Sequence, residues 1–241
     1  YVHSLVDTEE KVLTLQEFLG YTFCKGQPAK KCLWTHGMTD SGKTILFNAI
    51  ENAFSGITST VGFKDLVCDK WSLFHLFDKL LNVASDNAIE TTYRELYKFK
   101  KIIGYDPVKV EKKYLDSFFI PIDAKFMFNG NGAPTINKEI IEKDDSVANR
   151  FLPMLFPYQF PVEEKYDKSN PYHKKRILSY ELEQILYSSK MKSQILNWAI
   201  DGAKRLREQK FQFTHQPPLD DVKDWLLTGI QMNDVERFLY E

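Results

Sequence analysis

The sequence predicts an α/β fold with a mostly parallel central sheet and helices on both faces. Residues 33–50 read in succession as a buried strand, a glycine loop and an apolar-faced helix. Beyond them, short apolar runs of strand length alternate with stretches of helical spacing, the pattern of strands joined by crossover helices. Two later runs end in polar tips, at Ser85 and Asp86 and at residues 129–132 (Asn-Gly-Asn-Gly). Parallel strands deliver functional groups at such carboxyl ends.

The glycine loop is Gly37, Met38, Thr39, Asp40, Ser41, Gly42, Lys43, Thr44. It satisfies G-x-x-x-x-G-K-[ST], the phosphate-binding loop. The two glycines permit backbone angles and a close approach that a Cβ would block. Backbone N–H groups and the following helix N-terminus form a positive cradle for phosphate oxygens. Lys43 can reach the β- and γ-phosphates of a nucleotide such as ATP, and the Thr44 hydroxyl can ligate Mg²⁺. Strand residues 32–35 before the loop and Ile45, Leu46, Ala49, Ile50 and Phe54 after it supply the context the motif requires.

Along the chain, Leu13, Leu15, Phe18 and Leu19 predict a helix ending near Gly20, and residues 25–31 a polar turn. Residues 57–61 are a second strand, 71–79 a helix, and 80–84 a buried parallel strand with an acid at its tip. Residues 87–103 read as helical, stopped by Gly104, Asp106 and Pro107. Residues 108–122 suggest a hairpin turning around residues 115–117. Residues 125–128 and 152–156 are further strands, separated by a polar stretch. A charged loop at 161–173 precedes helices at 174–189 and 191–208. Pro217 and Pro218 break the chain before two short helices, 219–228 and 233–240. The expected division is a helical lead-in at 1–30, a core at 31–160 and a C-terminal helical segment at 161–241.

Length and composition fit one large α/β domain, with or without a small appendage: 241 residues, 43% hydrophobic and 14% aromatic. A net charge of −1 excludes bulk attraction for nucleic acid, so any such contact needs a local basic patch. Three cysteines without metal-ligand spacing predict a reducing, cytoplasmic setting. Five scattered histidines suggest no zinc site, and His36 reads as a strand-end residue. We expect no membrane association, since no apolar run is long enough to span one. The chain opens on Tyr1 rather than Met and reads as a fragment.

Four positions are candidates for the chemistry around the loop. Asp86 is the acid to hold Mg²⁺ and orient water, with a helix N-cap as its plainer role. Asn131 is placed to polarise water or sense the γ-phosphate; Asn129 competes, and a simple turn is the alternative. Arg150, of six arginines, alone ends a core strand-loop unit and suits a transition-state finger. A surface salt bridge to Asp144 or Asp145 is its other reading. Lys43 completes the set. Separately, Lys98, Lys100, Lys101, Lys109, Lys112 and Lys113, with Tyr114 and Phe118 among them, form a local basic cluster. It suits either a nucleic-acid backbone contact with stacking or a solvated charged face. Residues 173–176 (His-Lys-Lys-Arg) read as ordinary helix surface.

In this order the motifs resemble superfamily 3 helicases of the AAA+ class, specifically the helicase part of phage and plasmid primase-helicases. Residues 15–23 are similar to the helical lead-in, G-M-T-D-S-G-K-T to Walker A and L-L-N-V-A-S-D (80–86) to the Walker B strand. Residues 100–118 resemble a basic helix-to-hairpin motif, the pre-sensor hairpin. K-F-M-F-N-G-N-G-A-P (125–134) resembles motif C, and D-D-S-V-A-N-R-F (144–151) the arginine-finger segment. Residues 195–206 are similar to the post-core helix.

The resemblance implies a homo-oligomeric, hexameric ring hydrolysing ATP with Mg²⁺ between subunits. It implies single-stranded DNA in the channel, held by Lys109, Lys112, Lys113 and Tyr114, with 3′→5′ movement in phage or plasmid replication. It also implies a primase-polymerase domain upstream and, for a phage protein, the host cytoplasm. Two positions depart from the family pattern. Asp86 stands where a glutamate is usual, and Asn149 where a second arginine is usual. The first departure keeps open a nucleotide-dependent, origin-binding oligomer with weak turnover. A small-molecule P-loop kinase is a third class, against which the finger and the lysine-rich hairpin argue.

Overall fold

The structure, a computed structural model, describes residues 1–85, 90, 91, 93–114 and 116–228. Its strands are β1 (Cys32–His36), β2 (Thr58–Ser59), β3 (Leu81–Ala84), β4 (Glu90–Thr91), β5 (Val108–Val110), β6 (Phe118–Ile120), β7 (Lys125–Asn129), β8 (Thr135–Ile136) and β9 (Phe151–Leu155). Its helices are α1 (Val2–Leu5), α2 (Glu9–Tyr21), α3 (Lys43–Ala53), α4 (Phe63–Cys68), α5 (Tyr93–Gly104), α6 (Lys138–Lys143), α7 (Asp145–Ala148), α8 (Ser179–Leu186), α9 (Ser189–Glu208) and α10 (Leu219–Thr228).

The central sheet runs β2-β3-β7-β1-β9, and every pairing in it is parallel. β1, β3, β7 and β9 are buried throughout, as a sheet covered on both faces demands. Alternate residues feed two cores. Trp34, Phe126, Phe128 and Phe151 pack under α4, α5 and α10. Leu33, Met127, Leu152 and Met154 pack under α2, α3 and α9. Pro153 sits inside β9, which is tolerated because β9 is an edge strand. The other edge, β2, is short and is held by a side chain. The fully buried Asn82 of β3 accepts from Ser59 (2.9 Å) and from the Val61 N–H (2.8 Å), and donates to the Val61 carbonyl (2.9 Å).

The first long helix ends at Tyr21, next to Gly20 as the sequence suggested, but Gly20 has a second duty. Gly20 lies where α2 crosses α9, and a Cβ there would sit 2.2 Å from the Ala203 nitrogen. Gly202 answers it from α9, where a Cβ would lie 2.1 Å from the Gln16 carbonyl oxygen. The crossing is stitched by the buried Glu17, which accepts from Arg205 Nε at 2.7 Å and from the Thr214 N–H at 2.8 Å.

Three expectations change. Residues 71–79 form only a 3₁₀ turn, Ser72–Leu76, cut short where Asp78 takes a positive φ of 57°. The helix expected from 87 begins at Tyr93; Glu90 and Thr91 instead pair in parallel with Thr135 and Ile136 of β8. The basic run before α8 is extended, not helical. Gln159 fixes it, its N–H donating to the Tyr172 carbonyl and its own carbonyl accepting from Lys174 N, both at 2.8 Å. The helix expected at 233–240 lies outside the described residues. Among those residues no helix is long and apolar enough to cross a membrane.

Candidate nucleotide site and basic hairpin

β1 ends at His36, and the chain turns through residues 37–42 into α3. Gly37 has φ 149°, and a Cβ on it would lie 2.4 Å from the Phe156 carbonyl oxygen. Gly42 caps α3 at φ 81°, where a Cβ would meet Leu5 Cδ2 at 2.7 Å. Both glycines are therefore required by conformation and by space. Lys43 is buried, and its ammonium donates to the Gly37 carbonyl (2.7 Å), the Met38 carbonyl (2.8 Å) and Ser41 Oγ (2.6 Å). It is thus held at the centre of its own loop, where phosphate oxygens can compete for it. Thr44 is exposed at the first turn of α3.

The loop opens into a cavity of about 490 Å³, a usual volume for a small-molecule site. All of residues 38–44 line it, together with Asn129 and Asn131. Strand order explains the asparagines. β7 lies beside β1, with Thr35 in register with Asn129, so the β7 tip opens next to the loop. Asn129 is buried as the last residue of β7, and Asn131 is exposed two residues on. The fully buried Trp34 fixes the turn that carries them by donating its indole N–H to the Gly132 carbonyl at 2.9 Å. Asp86 lies outside the described residues. β3, two residues short of it, is the next strand beyond β7.

Sequence reasoning missed the other wall of the cavity. Tyr1, Ser4, Phe160, Arg176, Ile177 and Leu182 line it from both ends of the chain. The Tyr1 phenol donates to the Gly42 carbonyl at 2.9 Å, and burial pushes its pKa up. The Phe160 N–H donates to the Asp40 carbonyl at 2.9 Å, and Arg176 lies 3.6 Å from the Asp40 carboxylate. Arg176 thus belongs to the mouth of the cavity, not to a helix surface. Only its membership of a basic run signalled it, and no local pattern ties residue 176 to residue 40.

His36 ends β1 fully buried, its ring 5.4 Å from that of Trp225. Burial first, then the positive charges of Lys43 and Lys11, push its pKa down to about 3. Neither ring nitrogen has a hydrogen-bond partner among the described residues. It is a neutral core histidine, as expected for a strand end.

Arg150 lies at the opposite, amino end of the strands, one residue before β9. Its carbonyl accepts from the Cys32 N–H at 2.8 Å, level with the start of β1. The length of β1 separates it from the loop by roughly 15–20 Å, so it does not serve the loop of its own chain. The salt bridge considered for it does not form. Asp144 pairs with Lys100 at 2.6 Å, and Asp145 pairs with Lys223. Arg150 is half-buried, donates to the Ser146 carbonyl at 3.4 Å, and has its pKa lowered by burial against the opposing pull of Asp106.

The hairpin β5–β6 follows α5 at this same end, where Gly104 lies beside Arg150. Lys113 and Tyr114 are exposed at its tip, Tyr114 completely so and with φ 66°. Lys112 is exposed and sets its ammonium 4.3 Å from the Phe74 ring centroid. Lys109 pairs with Glu111 at 2.6 Å. The structure therefore brings residues 37–44, Asn129 and Asn131 together, and puts Arg150 and the lysines at the opposite end of the sheet. No group of three or more potential metal-ligating side chains occurs among the described residues.

A family model described as a family of unknown function (DUF5906) matches residues 35–150, short of half the chain. No curated protein matches the sequence. Among solved structures, the apo NrS-1 C-terminal region aligns with a TM-score of 0.65 at 14% identity, covering 95% of this chain and 50% of that one. Its A form gives a TM-score of 0.61 at 16% identity, covering 99% and 54%. A JCV helicase bound to a thiazolopyridine acetamide aligns over 95% of this chain and 63% of its own at 15% identity, with a TM-score of 0.46, too distant to carry the fold. This chain spans about half the length of the NrS-1 structures it matches. It is a mixed α/β protein that shares its fold with about half of the NrS-1 C-terminal region.

Proposed function

We propose that the chain is an ATP-dependent DNA helicase motor for phage or plasmid replication, working as a ring on single-stranded DNA. One observation carries this reading. The phosphate loop and Arg150 lie at opposite ends of the parallel strands β1 and β9, so a loop and a finger meet only when a second copy docks with its amino end against the carboxyl end of the first. Repetition of that contact closes a ring or continues as a filament, and hexamers are the family's expected form. The basic hairpin shares the finger's end, which suits coupling between nucleotide and DNA.

The residues present fit a Mg²⁺-nucleotide: two glycines that a Cβ would block, a lysine at the loop centre and an exposed threonine at the α3 N-terminus. In this reading Gly37, Met38, Thr39, Asp40, Ser41 and Gly42 cradle the phosphates, Lys43 bonds the β- and γ-phosphates, and Thr44 holds the metal with Asp86. The metal, when bound, neutralises developing charge on the phosphates. Asn131, or Asn129 beside it, orients water, and Arg150 of the next copy stabilises the transition state. Lys109, Lys112, Lys113 and Tyr114 contact DNA. A primase-polymerase segment upstream in the longer protein completes the proposal.

ATP hydrolysis with and without single-stranded DNA tests it. The expected result is hydrolysis stimulated by DNA and lost in Lys43→Ala. Turnover unchanged by Lys43→Ala would contradict the assignment. Nucleotide-driven assembly without strand separation would instead support the origin-binding oligomer.

A further inference from the structure

Alternation in the hairpin gives it two unlike faces. Val108 and Val110 are buried, and Lys109 between them points outward. Register sets Phe119 directly opposite Lys109, so the two share that outward face. Phe119 is 68% exposed, an unusual position for a phenylalanine, and no element among the described residues covers it. α5 lies across from it and presents Tyr97, 52% exposed, with Lys98 next in sequence and Lys101 one turn further on. Lys70 approaches from the segment after α4.

These elements enclose a groove of about 600 Å³ at the root of the hairpin. Four lysines line it, Lys70, Lys98, Lys101 and Lys109, against one carboxylate, Glu111. Glu111 is already neutralised by Lys109. The Lys98 ammonium donates to the Asp69 carbonyl at 2.9 Å, and burial lowers its pKa, so an anion beside it would restore what desolvation costs. Lys101 stands 5.1 Å from the Tyr97 ring centroid. The groove thus combines net positive charge with two exposed ring faces.

We propose that this groove binds a nucleic-acid single strand, its phosphates on Lys98 and Lys101 and a base on Phe119, so that the strand runs along the hairpin root as well as its tip. The choice of a single strand follows from the rings, since only unstacked bases offer faces to stack on. It rests on the DNA-motor reading, but is a separate site from the tip residues Lys112, Lys113 and Tyr114.

The test is fluorescence anisotropy of a labelled oligo-dT across a salt series, using the whole chain. Removing two phosphate contacts in Lys98→Gln/Lys101→Gln should lower the slope of log affinity against log salt by about 1.4, at roughly 0.7 per contact. Phe119→Ala should weaken binding about tenfold with the slope unchanged. Cys68 gives a readout that needs no variant: it is exposed and lines the groove, while Cys32 is buried and the half-buried Cys24, which does not line the groove, is told apart by peptide mapping. Bound oligo-dT should slow its alkylation by maleimide. Unaltered affinity, slope and Cys68 reactivity, with binding lost in Lys112→Ala/Lys113→Ala, would overturn the groove and leave the motor standing. Equal protection of Cys68 by polyglutamate would overturn the nucleic-acid assignment of the groove in favour of an acidic peptide. Absence of oligo-dT binding by the unaltered chain would overturn both readings.

Discussion

At the carboxyl end of the sheet, the phosphate loop is held by backbone and by buried groups: two glycines at positive φ, a lysine tied to its own loop and an indole anchoring the asparagine turn. At the amino end, the hairpin offers exposed side chains on a buried valine backing, and Arg150 is half-buried with its expected partners already taken. The first end is preorganised and tolerates little change. The second is adaptable and keeps its charges available. This difference is what the proposed motor would use, with a fixed site for chemistry and a compliant surface for a moving polymer. α5 connects the two, since it follows β4, which pairs with β8 beyond the asparagine turn, and ends at Gly104, where a Cβ would lie 3.8 Å from the Arg150 guanidinium.

Substitutions can break this contrast. Arg150→Ala should have the largest effect, lowering turnover about 10³–10⁵-fold while nucleotide binding stays intact. Steady-state hydrolysis and a nucleotide titration measure the two together. A parallel loss of nucleotide affinity would make Arg150 part of its own chain's site. Gly202→Ala forces a Cβ against the Gln16 carbonyl and should cost about 1–3 kcal/mol or more, read by denaturant unfolding. Tyr114→Ser at the exposed tip should stay within about 0.5 kcal/mol in the same assay. Equal losses would erase the distinction between ends.

Trp34→Phe keeps an aromatic ring in the core and removes the donor to Gly132. The expected cost is about 1–2 kcal/mol in stability with a fall in kcat at little change in KM, because the asparagine turn loses its anchor. A change in KM alone would argue against positioning. His36 gives the most selective effect. Its folded pKa, about 3, lies below the ordinary 6.5, so between those values the unfolded chain binds the extra proton. Stability therefore falls with acid, starting near pH 6.5, by about 1 kcal/mol by pH 5.5. His36→Gln should flatten that part of the profile, and an unchanged profile would assign it to other groups.

Much of this was readable in the sequence where the signal is local. β1, the loop and α3 follow from spacing and from two glycines that nothing else replaces. The hairpin follows from alternation around a polar turn. Positions set by distant contacts were not readable. Gly20 reads only as a helix stop, and its packing role shows once α9 is laid across it. Residues 90 and 91 continue a helical pattern until β8 offers a ladder. Arg176 reads as surface until Gln159 pins its segment against the loop. The separation of Arg150 from residues 37–44 is a property of strand register, which a linear motif does not state.

The central claim, a nucleotide site shared between copies, is tested most directly by mixing two inactive chains. Lys43→Ala keeps its finger and lacks the loop lysine; Arg150→Ala keeps the loop and lacks the finger. Combined before assembly, they form some interfaces that join an intact loop to an intact finger. ATP hydrolysis by the mixture should rise clearly above that of either chain alone. A mixture no more active than its components would contradict the shared site.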